Sequence, residues 1–177
     1  MSRNIEIKAQ LSDVQFAEAC RVSADLTGDT HTVLKQRDTY FNAPLGRLKL
    51  REFGDDTAEL IGYQREDQTD PTASNYYRTQ VNGRENIENL IDGMKLTLGL
   101  RGVVEKTRLL FIHNITRIHL DEVVSLGHFL ELEVVLMDGQ SDEEGIKIAN
   151  HLMKRLNVRQ DQLITSSYID LMDATIA

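Results

Sequence analysis

The sequence predicts an α+β fold, a closed eight-stranded antiparallel β-barrel with helices packed outside. Three observations predict it. Short segments alternating with a period of two recur along the chain, and helical segments separate them. There are about eight such strands, enough to close a barrel whose interior holds one small ligand. Their polar faces carry Arg, Lys and carboxylates, residues of poor strand propensity that a plain solvent face rarely concentrates.

The elements follow in order. Arg3–Leu11 alternates cleanly, with Ile5, Ile7, Ala9 and Leu11 on one face. Ser12 is placed to cap a helix running to about Ala24. Val33–Phe41 reads as a strand and Asn42–Gly46, which contains Pro44, as a turn. Leu48–Phe53 and Ala58–Arg65 form a hairpin across Gly54, Asp55 and Asp56. The polar segment Glu66–Asn75, with Pro71, reads as a mobile loop and a candidate lid. Tyr76–Val81 returns as a strand, followed by a helix over about Glu85–Thr97. Val103–Ile112, Thr116–Val123 and Phe129–Leu136 complete the strands, with turns at His113-Asn114 and Ser125–Gly127. Ser141 with Glu144 matches a capping box before a helix ending near Leu156, and a last helical turn or two spans Leu163–Met172. No repeat, linker or low-complexity tract interrupts residues 1–177, which read as a single domain.

Composition narrows the functional classes. An apolar fraction of 41% and a charged fraction of 27% are ordinary for a soluble globular protein. A net charge of −8 argues against a general nucleic-acid binder, although the placement of the 20 Lys and Arg matters more than their sum. The single cysteine, Cys20, excludes an internal disulfide framework and a thiolate metal cluster. No apolar run approaches membrane-spanning length and no signal-peptide core is present, so a cytoplasmic protein with no membrane partner is expected.

Sorting each strand by face separates two chemistries. One parity carries Ile5/Ile7/Ala9, Leu48/Leu50, Ile118/Leu120 and Leu130/Leu132/Val134, the face expected to meet helices and core. The other carries Asn4/Glu6/Lys8, Gln36/Asp38/Tyr40, Lys49/Arg51, Glu59/Tyr63/Arg65, Arg78, Lys106/Arg108, Arg117/His119/Asp121 and Glu131/Glu133. Taken alone, any one of these pairs reads more readily as a solvated strand face. The agreement of all the strands argues otherwise. Glu6, Asp121, Glu131 and Glu133 are hard oxygen donors suited to Mg²⁺ or Mn²⁺, and crowded carboxylates repel one another unless a cation lies among them. Lys8, Lys49, Arg51, Arg65, Arg78, Lys106, Arg108 and Arg117 suit a polyanion, because the planar Arg fork donates two parallel hydrogen bonds to phosphate. A divalent cation beside such a ring is apparatus for phosphoryl or nucleotidyl chemistry.

Asn4-Ile5-Glu6-Ile7-Lys8 resembles the E-x-E-x-K signature of the CYTH superfamily, the triphosphate tunnel metalloenzymes. QRDTYF, LKLRE, ELIGYQRED, SNYYR, VEKTR and RIHLDEVVSLGHFLELEVVL follow in the family's order, to about Leu171. The resemblance implies an eight-stranded tunnel and divalent-metal chemistry on triphosphates. It implies Glu6, Glu131 and Glu133 as metal ligands, with Asp121 a direct or water-mediated partner. It also implies Lys8, Lys49, Arg51, Arg65, Lys106, Arg108 and Arg117 as phosphate holders. Asp38–Phe41 and the K-x-R of Lys106/Arg108 look most like the class IV adenylyl cyclase branch, which converts ATP to cyclic AMP and pyrophosphate. That branch implies a homodimer. The sister reading is a triphosphatase acting on inorganic or thiamine triphosphate. Lys8, Asp38 and Tyr40 are the candidates for catalytic roles, the last two as bases by position alone. A non-catalytic polyphosphate or nucleotide receptor would tolerate loss of the acidic group, which this chain keeps. One position departs from the signature: its first Glu is Asn4, an oxygen donor without charge.

Overall fold

The structure is a computed structural model that describes residues 3–64 and 75–176. Eight strands are found: β1 (Arg3–Leu11), β2 (Thr32–Phe41), β3 (Arg47–Glu52), β4 (Thr57–Gln64), β5 (Asn75–Asn82), β6 (Leu100–His113), β7 (Thr116–Val123) and β8 (Gly127–Leu136). Among the described residues four α-helices, α1 (Asp13–Thr27), α2 (Arg84–Leu98), α3 (Asp142–Arg155) and α4 (Tyr168–Ile176), and a short 3-10 turn at Gln160–Gln162 accompany them. The strands form one antiparallel sheet in the order β1-β8-β7-β6-β2-β3-β4-β5, so the class is α+β. Among the described residues the ladder is linear, with β1 and β5 at its ends. The closed barrel expected from the sequence is therefore not seen. Strand number alone does not close a sheet; tilt and stagger must match as well. Arg65 and the lid expected at Glu66–Asn75 lie outside the described residues, apart from the backbone of Asn75 at the start of β5.

The chain divides into two compact units, one holding residues 3–34 and 107–165, the other residues 35–64, 75–106 and 166–176. In the first, β8 pairs with β1 on one side and β7 on the other, and the predicted apolar parity faces helices α1 and α3. Ala9, Ile118, Leu120, Leu130 and Leu132 are buried against Ala19, Leu152 and Met153. Truncating one such leucine to alanine costs about 2–5 kcal/mol, transfer and cavity terms together. Ser12 closes a capping box with Gln15, and α1 runs three residues beyond its expected end. It stops where Gly28, at φ 66°, takes the left-handed turn and donates its N–H to the Ala24 carbonyl. Helix α3 begins at the predicted Ser141–Glu144 box. It lies so close on the sheet that a Cβ on Gly145 would stand 2.7 Å from side-chain atoms of Ile5 and Leu136. Leu163 and Ile164, expected to be helical, lie outside any helix, and Leu163 is extended. Leu163 bridges Ala9, and the Ile164 N–H donates to the Lys8 carbonyl at 2.9 Å.

In the second unit, β2, β3, β4 and β5 pair in sequence order. Phe41, Leu50 and Ala58 pack with Ile87 of α2, with Leu90, Ile91 and Met94 extending that apolar stripe. Helix α4 starts five residues later than its expected beginning because Ser167 opens it. The Ser167 hydroxyl donates to Asp170 at 2.6 Å, and the Ser167 N–H donates to the same carboxylate at 3.1 Å. Arg47 and Arg101 hold Asp170 at 2.9 and 2.8 Å, anchoring α4 to β3 and β6.

Candidate active site

Strand register organises the acidic group. Lys8 and His119 stand opposite Glu131 from either side of β8, while Glu6 and Arg117 stand opposite Glu133. Glu131 is largely enclosed and takes Lys8 at 3.3 Å, His119 Nδ1 at 3.0 Å and Arg108 at 3.5 Å. Burial alone would raise its pKa; the charges of Lys8 and Arg108 and the His119 hydrogen bond outweigh it and hold the carboxyl well below the usual range. Glu133 accepts from Arg117 at 3.0 Å and from the Asn4 amide at 2.6 Å. Asp121, fully buried, forms two 2.7 Å hydrogen bonds with the Arg108 guanidinium.

Among the described residues, no group of three His, Cys, Asp or Glu side chains is arranged to hold a metal ion. The four carboxylates expected to hold a cation, Glu6, Asp121, Glu131 and Glu133, lie on β1, β7 and β8 of the first unit. Lys, Arg, His and Asn side chains contact the oxygens of Glu131, Glu133 and Asp121. The narrower set, Glu6, Glu131 and Glu133, is the one that the family resemblance implies, and its donors are hard oxygens. Glu6 and Glu133 are directly opposite on one face, and like charges so placed repel each other.

Of the basic group, Lys49, Arg51 and Lys106 belong to the second unit and converge on one carboxylate. Asp38, 1% exposed, takes Lys49 at 2.8 Å, the Arg51 guanidinium through Nε and Nη2 at 2.7 Å each, and Lys106 at 3.4 Å. Burial pushes its pKa up, but Lys49, Lys106 and Arg51 together draw it well below the ordinary value. A carboxylate held in this way takes up a proton poorly. Tyr40 is buried beside it and its pKa is raised, first by burial and then by the Asp38 charge, so its hydroxyl keeps its proton. These environments favour an ionised Asp38 and a protonated Tyr40, the two residues that position suggested as bases. Lys49 also stands over the rings of Tyr40 and Tyr63, at 5.3 and 5.9 Å from their centroids. Register aligns Tyr40, Lys49, Ile61 and Arg78 across β2 to β5, which puts exposed Arg78 on the face of the cluster.

The Asn4–Glu133 hydrogen bond and the place of Tyr168 carry no signal in the sequence. Asn4 was singled out as a departure from the signature, yet nothing foretold its bond to Glu133. Tyr168 lies beneath Lys106 at 5.8 Å, brought there by α4 with no periodic signal to announce it.

A family model described as the CYTH domain matches residues 2–168. Among solved structures, the PH1012 protein of Pyrococcus horikoshii OT3 is 24% identical with a TM-score of 0.78, covering 97% of this chain and 99% of its own. A protein of Vibrio parahaemolyticus, named as a "putative adenylate cyclase", is 16% identical with a TM-score of 0.68, over 97% and 98% of the two chains. An S. pombe RNA triphosphatase is 11% identical with a TM-score of 0.50, over 86% and 70%. No curated protein matches the chain.

Proposed function

The chain belongs to the CYTH domain family, and from that premise we propose that it is a divalent-metal-dependent enzyme that cyclises ATP to cyclic AMP and pyrophosphate. The observation that carries the reading is the convergence of Lys49, Arg51 and Lys106 on the single buried carboxylate of Asp38. Three fixed cations on one anion leave a surplus of positive charge, and a chain of phosphates supplies what such a cluster attracts. The proposal includes closure of the eight strands into the tunnel that the sequence predicts. The S. pombe and Vibrio neighbours agree with phosphate chemistry by name, while their low identity speaks for the fold alone.

In this reading Arg51, Lys49, Lys106 and Arg78 bind the phosphate oxygens, with Arg65, Arg108, Arg117 and Lys8 as further candidates. Asp38 is a positioning residue that keeps three cations at a common spacing. Tyr40, which retains its proton, donates rather than accepts. Glu6, Glu131 and Glu133 would hold Mg²⁺ or Mn²⁺, which when bound neutralises phosphate charge and makes a nearby hydroxyl more acidic. The ribose 3′-oxygen forms a bond to the α-phosphorus as the bond from that phosphorus to the pyrophosphate oxygen breaks, and the hydroxyl proton passes to solvent. With water in place of the 3′-hydroxyl, the same side chains would serve triphosphate hydrolysis.

The test is incubation with ATP, inorganic triphosphate and thiamine triphosphate, each with Mg²⁺ or Mn²⁺, followed by chromatographic separation of products. Cyclic AMP with an equal amount of pyrophosphate is the expected result. Orthophosphate without cyclic AMP would replace cyclisation with hydrolysis. Binding without turnover would make the protein a receptor.

A further inference from the structure

We infer that Gln36 is a specificity residue of the basic cluster, its side-chain carbonyl accepting a hydrogen bond from an N–H or O–H on the organic part of a nucleoside triphosphate. The inference rests on the triphosphate reading above and deepens it by naming the part of the substrate that is recognised.

Gln36 sits in β2 two residues before Asp38 and four before Tyr40, so the three side chains share a face of the strand. It is 7% exposed, and its Oε1 has no hydrogen-bond partner among the described residues. A buried acceptor left unmet costs about 1–3 kcal/mol, whereas Met or Leu of similar size would fill the same space without that cost. The neighbouring groups on this face are of the opposite kind. Lys49, Arg51 and Lys106 donate to Asp38, and Tyr40 holds its proton. A triphosphate chain near neutral pH presents acceptor oxygens, which complement those donors and offer almost nothing to Oε1. A nucleoside adds an exocyclic amine and ribose hydroxyls, donors of the class that Oε1 lacks. A site with a buried polar group of this sort loses affinity for the analogue that leaves it unpaired. Inorganic triphosphate is that analogue, and a nucleotide is the ligand that meets both the cations and the carbonyl.

The experiment measures dissociation constants by calorimetry, with Mg²⁺, for α,β-methylene ATP and for the methylene analogue of inorganic triphosphate. It compares wild type with Gln36→Met. The expected result is a roughly tenfold shift of the affinity ratio against the nucleotide, the size of one lost neutral hydrogen bond. Gln36→Glu, which keeps acceptor oxygens, should hold the ratio near that of wild type. Circular dichroism verifies folding, and Gln36→Leu replaces the Met variant if that one fails to fold. A ratio unchanged while both ligands bind would assign Oε1 to water and overturn the inference alone. Wild-type protein that binds neither analogue would overturn the triphosphate reading and this inference with it.

Discussion

Asp38→Asn removes one negative charge and keeps the side chain's shape, which isolates the part that charge plays in β2, β3 and β6. Three cations lie 2.7 to 3.4 Å from a carboxylate that is 1% exposed. Removing one partner from a buried charge cluster of this kind costs about 3–5 kcal/mol, because the remaining charges stay desolvated without compensation. For a chain of 177 residues each kcal/mol moves Tm by about 2–4 °C, so a fall of about 6–20 °C is expected at neutral pH. The pH dependence follows from the depressed folded-state pKa of Asp38. A group shifted downward contributes fully above its unfolded pKa of about 3.9 and loses that contribution as pH falls through the lower folded value. Wild type and variant should therefore differ most above about pH 5 and converge in acid. Thermal unfolding followed by circular dichroism across this range reads both quantities. Inorganic triphosphate should restore more Tm in the variant than in wild type, since the anion supplies the missing charge. A Tm loss below about 2 °C, or a difference that persists undiminished toward pH 2, would refute the assignment of Asp38 as the hub.

Two further outcomes follow from the acidic side and the core. Asn4→Glu places a third carboxylate beside Glu6 and Glu133, and it should tighten Mn²⁺ binding by about tenfold in a spectroscopic titration of the protein alone; unchanged affinity would remove Asn4 from the metal account. Gly145→Ala sets a Cβ 2.7 Å from Ile5 and Leu136. It should cost about 1–3 kcal/mol in chemical denaturation, whereas a neutral result would mean that α3 shifts at no cost.

The faces of the strands were legible from sequence, because side-chain alternation is a property of the backbone itself. Glu131 and Glu133 share the face expected of them, and Leu130, Leu132 and Val134 are buried on the other. Capping chemistry was equally local, which is why Ser12 and Ser141 stand where expected. What depends on pairing was not legible. That Glu6 meets Glu133, or that Asp38 gathers cations from β3 and β6, is decided by register and strand order, and alternation within one strand carries neither. The Arg108–Asp121 pair shows the consequence. Arg108 and Asp121, sorted by type into different groups, are joined by two hydrogen bonds that no single-strand pattern announces. The start of α4 was misplaced for a related reason. Leu163 and Ile164 satisfy their backbone against β1, a tertiary choice, before Ser167 offers the local cap.

A triphosphate held by fixed cations, with a divalent ion on Glu6, Glu131 and Glu133, is the bound state proposed for this protein. Glu133→Gln tests it with least damage to the fold, since the Arg117 partner of Glu133 is half exposed, whereas Glu131 neutralises buried Lys8. The measurement is the calorimetric affinity for inorganic triphosphate in EDTA and in excess Mg²⁺, for wild type and for Glu133→Gln. Tighter binding with Mg²⁺ in wild type, and loss of most of that gain in the variant, is the predicted result. Equal affinity with and without Mg²⁺, or a gain that survives the substitution intact, would contradict it.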